Sequence, residues 1–145
     1  MEEKTINNKK GLLTQVAIFV VVFGIAFFGT QYFFKKDIGA ELQKVVTEMN
    51  KKCPLKVDAD TQIDNTQFIA PKTIQYNYTI LTIDKDSSAV DPADMKKMLQ
   101  SQSQQSLDNS AEMELFRKNE VTLKYNYKDK NGKDLLDFAI QPTKK

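Results

Sequence analysis

The chain has 145 residues, of which 41% are hydrophobic and 28% charged, with 21 Lys/Arg against 19 Asp/Glu for a formal net charge of +2. It has no His, no Trp and one Cys, which excludes a His-based catalytic dyad or triad, a Cys/His zinc cluster and any disulfide within the chain. The near-balance of charge argues against a nucleic-acid platform, which needs a basic face or stripe.

Residues 1–10 form a short polar tail ending in Lys9 and Lys10. Residues 11–34 then hold no Asp, Glu, Lys or Arg, and Lys35 and Lys36 close the run. As a helix rising 1.5 Å per residue, this run spans about 36 Å, enough to cross a hydrocarbon core of about 30 Å with some tilt. It is longer than the apolar core of a cleaved signal, and no small-residue cleavage pattern follows it. The sequence therefore predicts an uncleaved transmembrane helix over 11–34, a single-pass signal anchor whose first partner is membrane lipid. Phe19, Phe23, Phe27 and Phe28 lie along it, and Tyr32, Phe33 and Phe34 gather at its end like an interfacial aromatic belt. Ala26 and Thr30 have the spacing of a close helix–helix contact, but no GxxxG is present and self-association is not favoured. Lysines flanking the run lean slightly against a cytoplasmic N-terminus, yet long domains translocate largely regardless of charge. The expected topology puts the N-terminus inside and the domain outside the cytoplasm.

Residues 35–145 have the size of one soluble domain. Ile38, Leu42, Val45, Val46, Met49 and Cys53 share one face of a helix that stops before Pro54. That helix follows the anchor so closely that the two read as nearly continuous, with Gly39 as a bend. Residues 57–65 are polar and Asp-rich and read as loop, giving way to a weak strand over 66–70. Ile74, Tyr76, Tyr78 and Ile80 alternate with polar residues, the mark of a half-buried antiparallel strand. Asp91 followed by Pro92 starts a second helix. Its Gln/Ser-rich stretch over 100–105 reads as a solvated face, a break is expected near 108–110, and Asn109 is placed as the cap of a further segment carrying Met113 and Phe116. Val121, Leu123, Tyr125 and Tyr127 alternate up to an Asn131-Gly132 turn, and Leu136, Phe138 and Ile140 return along the same face, a hairpin. The predicted fold is α+β, an α-β-β-α-β-β domain with an antiparallel sheet of about four strands and helices on one face.

Two six-residue stretches, from Thr73 to Tyr78 and from Thr122 to Tyr127, match as T-[IL]-[QK]-Y-N-Y. Their tyrosines, Tyr76, Tyr78, Tyr125 and Tyr127, are either an aromatic patch for a partner or, as their apolar phase favours, core residues. Cys53 is a candidate for pairing with a second copy, against the simpler reading of a small buried hydrophobe. Asp58, Asp60 and Asp64 lack the glycine and closing Glu of a calcium loop, and Asp84 and Asp86 sit in a polar connection. No glycine loop could cradle a phosphate. No enzyme activity, cofactor or metal is expected, and no catalytic residue is assigned.

The residues from Asn50 to Asp58, from Thr73 to Ile80 and from Phe116 to Gly132 resemble a family of small bacterial envelope proteins of unknown function. That resemblance implies a bacterial, membrane-attached origin and carries no activity with it. The expected function is a domain held outside the cytoplasmic membrane that binds a protein partner, as an accessory part of an envelope assembly. The alternatives are a membrane-held inhibitor or immunity-type protein, and a small-ligand or lipid-sensing module using the sheet face opposite the helices.

Overall fold

The computed structural model describes residues 37–144. The predicted transmembrane helix, with Phe19, Phe23, Phe27, Phe28, Tyr32, Phe33 and Phe34, lies outside the described residues. Among those described, no helix is long and apolar enough to cross a membrane.

Helix α1 (Ile38–Asn50) begins afresh at Asp37, an N-cap with extended backbone whose carboxylate accepts from the Ala40 N–H at 3.2 Å. The expected near-continuity with the preceding run is therefore broken at Asp37. Gly39 is not a bend but part of the helix's first turn, close to Phe68 and Pro71. Leu42, Val45, Val46 and Met49 are its buried stripe.

Five strands follow: β1 (Leu55–Lys56), β2 (Thr61–Ile69), β3 (Thr73–Ile80), β4 (Thr122–Lys128) and β5 (Asp134–Ile140). Between β3 and β4 run α2 (Pro92–Asn109), a 3-10 turn (Ala111–Met113) and the short α3 (Glu114–Lys118). The sheet order is β1-β2-β3-β4-β5. The class is α+β, as expected, but the sheet is mixed and has five strands rather than four antiparallel ones. Its central pair β3–β4 is parallel, while the other three pairs are antiparallel. The physical reason is the long connection through α2, which returns the chain to the same end of the sheet before β4 begins.

The expected loop over 57–65 is also corrected. β2 starts at Thr61, and a bulge between Ile63 and Asn65 hides its alternation. Ile63 and Thr66 are both buried while Asp64 and Asn65 between them are not, a spacing of three that period-two reading misses. The break expected near 108–110 occurs where α2 ends at Asn109, but Asn109 caps nothing ahead of it: its amide donates back to the Gln105 carbonyl at 3.0 Å. The carbonyls at the end of α2 are met by Arg117, whose guanidinium donates to Leu107 O at 2.7 Å and to Ser110 O.

Helix α1 packs on β2 and α2 on β5, and one core lies between them and the sheet. The Asn131-Gly132 turn closes β4–β5 with Gly132 at φ 81°, where a side chain would be strained. Asp129, fully buried, anchors this turn by accepting from the backbone N–H groups of Asn131, Lys133 and, across the loop, Lys85. Those three donors hold its carboxyl below the ordinary value.

Candidate functional site

The matching stretches T-[IL]-[QK]-Y-N-Y become neighbours. Because β3 and β4 are parallel, Thr73 faces Thr122, Tyr76 faces Tyr125, Asn77 faces Asn126 and Tyr78 faces Tyr127. Alternation then sends like residues to like sides. The tyrosines go inward, beneath the helices, and the amides go outward.

Inside, all four tyrosines are 1–3% exposed. Tyr76 stacks on Tyr125 with ring centroids 5.4 Å apart, Tyr78 on Tyr127 at 4.9 Å, and Tyr125 on Phe138 at 4.9 Å. Offset ring pairs of this kind are worth about 0.5–1.5 kcal/mol beyond their burial. Burial pushes all four phenols above their ordinary value. These rings are core, and a partner cannot reach them without unfolding the domain.

Outside, among the described residues, no helix covers the sheet's other face. Asn65, Asn77, Asn126 and Asp137 lie in one row across β2, β3, β4 and β5. Asn126 donates to Asn77 Oδ1 at 3.2 Å, and Asn77 donates to Asn65 Oδ1 at 2.7 Å. Gln75 donates from one amide nitrogen to Asn77 Oδ1 and to Gln67 Oε1, both at 3.1 Å. Asp64, at the bulge, accepts from Thr79 at 2.6 Å and from Gln62 at 2.8 Å. Each carboxamide has two N–H donors and two acceptor lone pairs. The ladder uses only part of that capacity, so it orients the amides while leaving groups for a partner. Charges of both signs are interleaved with the amides: Asp64 and Asp137, with Lys124 beside Gln75 and Lys128 beside Thr79 in the register. Such a surface can recognise polar, hydrogen-bonding partners.

The acidic groups singled out in the sequence do not converge. Asp58 folds onto its own turn, accepting from the Asp60 and Thr61 N–H groups at 2.7 and 2.8 Å. Asp84 accepts from the Asp86 N–H at 3.0 Å, and Asp86 is paired with Lys133. Among the described residues, no group of three His, Cys, Asp or Glu could hold a metal ion. Cys53 is half-buried against the core, just before β1, and its thiol is pushed up first by burial and then by Asp64. The outward amides escaped the sequence reading because they are the polar members of an alternation valued for its apolar ones. Their repetition in the six-residue echo was the available signal.

No curated protein matches the chain. A crystal structure of a candidate secreted protein from Pseudomonas aeruginosa superposes with a TM-score of 0.52 at 16% identity, covering 75% of this chain and 95% of that one. At that identity the likeness is one of fold. Residues 38–136 match the profile of a domain of unknown function, DUF8479. That match takes in more than half of the chain and every element from α1 to the first half of β5, and the chain belongs to this family.

Proposed function

We propose that residues 11–34 anchor the chain as a single-pass protein of the bacterial cytoplasmic membrane, and that the domain stands outside the cytoplasm and binds another protein through its open sheet face. The observation that carries this reading is the asymmetry of the sheet. One face is closed by helices over a stacked aromatic core, and the other carries no helix among the described residues and presents amides held in fixed orientations. An open polar sheet face is ordinary in itself; what supports a binding role here is the row of amides held in fixed orientation by hydrogen bonds to one another. The description of the Pseudomonas protein as a candidate secreted protein supports an extracytoplasmic setting. The open face is polar, which weighs against an apolar ligand there. In this reading the domain is an accessory part of an envelope assembly and works without catalysis, cofactor or metal.

The test is capture of the full-length chain from its native membranes in mild detergent, comparing wild type with Asn77→Arg. A set of resident envelope proteins is expected with wild type. Its yield should fall about tenfold with Asn77→Arg, the effect of losing about 1.4 kcal/mol at an interface centre. Equal capture by both forms would overturn the open face as the binding surface. A single toxin-like partner would move the assignment to an inhibitor or immunity role. A reporter fused after Lys145 that is active only in the cytoplasm would overturn the topology.

A further inference from the structure

We propose that the β2–β3 corner, with Phe68 and Ile69 at the end of β2 and Ala70 and Pro71 in the turn, rests on the surface of the lipid bilayer. This rests on the reading of residues 11–34 as a membrane anchor. Among the described residues Ile69 is the exposed large hydrophobic side chain, at 40%. Ala70 and Pro71 beside it are exposed, and Phe68 is half-buried. Pro is an ordinary turn residue and Phe68 packs partly on the core, so Ile69 is the side chain that neither the turn nor the core explains.

Its position supplies the occupant. The turn lies against the first turn of α1: a Cβ placed on Gly39 would sit 3.5 Å from the Phe68 ring and 3.5 Å from the Pro71 carbonyl. Only Lys35 and Lys36 separate Phe34, the last residue of the apolar run, from Asp37. Three Cα steps reach at most about 11 Å. Asp37 is extended, so α1 does not extend a helix arriving from the N-terminal side and lift the domain away on it. Where the run meets the interface, the start of α1 and the turn packed on it must be close by. Lys72 in the turn gives a cation for lipid phosphates beside the apolar tip, and in the sequence Lys35 and Lys36 directly precede Asp37, the composition of an interfacial contact.

The other end of the sheet provides the control. Ile69, Thr73 and Thr122 share one end of the ladder, while the β4–β5 turn at Asn131 lies beyond Lys128 and Asp134 at the other. Seven residues of strand separate these ends by about 20 Å.

The experiment uses the full-length chain in vesicles of phosphatidylethanolamine and phosphatidylglycerol. A Cys53→Ala background carries a single environment-sensitive fluorophore on Ile69→Cys or on Asn131→Cys, both exposed sites. Lipids spin-labelled near the headgroup act as quenchers, and flotation reports anchoring separately. Blue-shifted emission and several-fold stronger quenching at position 69 than at 131 are expected. Equal, water-like emission at both sites in chains that float with the vesicles would overturn the proposal and leave the anchor standing. Equal strong quenching at both sites would also overturn it, since the domain would then lie flat. Chains that fail to float would overturn the anchor reading itself and this contact with it.

Discussion

Tyr78 and Tyr125 sit within one stack, their ring centroids 6.3 Å apart, but their hydroxyls have different surroundings. The Tyr125 oxygen is hydrogen-bonded by Ser103 of α2. The Tyr78 hydroxyl is buried without a partner among the described residues. A buried polar group left unpaired costs about 1–3 kcal/mol, whereas a made hydrogen bond contributes about 0.5–1.5. The same substitution should therefore act in opposite directions. Tyr78→Phe should raise stability by about 1 kcal/mol, and Tyr125→Phe should lower it by about as much. Urea unfolding midpoints of the two variants test this, and a loss of stability in Tyr78→Phe would mean that its hydroxyl has a partner. Ser103 also shows where sequence reading stopped. It belongs to a Ser/Gln run that reads as solvated, yet it is 1% exposed. Met95, Leu99, Ser103 and Leu107 form a strict stripe of four-residue steps on α2. A small residue fits where the stripe crosses a tyrosine, a demand set by the sheet beneath rather than by the helix itself.

At the level of elements, the edge of β2 is protected by two devices. β1 covers only Gln62 and Ile63. Further along, Asn50 at the end of α1 acts as a one-residue strand, its amide donating to the Thr66 carbonyl and accepting from the Thr66 N–H, both at 2.8 Å. It also accepts from the Thr66 hydroxyl at 3.0 Å. Asn50→Ala removes all three and leaves a strand edge open, so it should cost about 2 kcal/mol and promote association through β2. Light scattering beside a denaturation curve would register both effects. No sequence rule announced this contact, because Asn50 reads as a helix end and Thr66 as the start of a weak strand. The elements that were legible, α1, β3, the start of α2 at Asp91 and the β4–β5 hairpin, announce themselves by periodicity and caps within a few residues. The direction of β4 relative to β3 is not written in that way. Alternation is the same in parallel and antiparallel strands, and the echo between β3 and β4 acquires meaning only once the register sets Asn77 beside Asn126.

The whole molecule is organised around that register, since it sorts amides to the open face and aromatic rings to the core. The core side has a consequence for stability at alkaline pH. Tyr76, Tyr78, Tyr125 and Tyr127 all have phenols raised by burial above the ordinary value of 10.0. Below that value the phenols are neutral in both folded and unfolded chains, and their full contribution to stability is present. Above it the unfolded chain ionises while the folded one resists, so stability falls as pH rises toward the folded values. Each phenol contributes a slope of about 1.4 kcal/mol per pH unit in that window, and four together about 5. A domain with the usual stability of about 5–15 kcal/mol is then exhausted within about one to three pH units above 10. Phenolate absorbance should accordingly rise in one cooperative step that coincides with loss of circular dichroism. Tyr127→Phe should reduce the steepness of that loss by about a quarter. Gradual ionisation of the four phenols ahead of unfolding would instead mean that hydroxide reaches the stack in the folded domain, and that the rings are not sealed beneath α1 and α2.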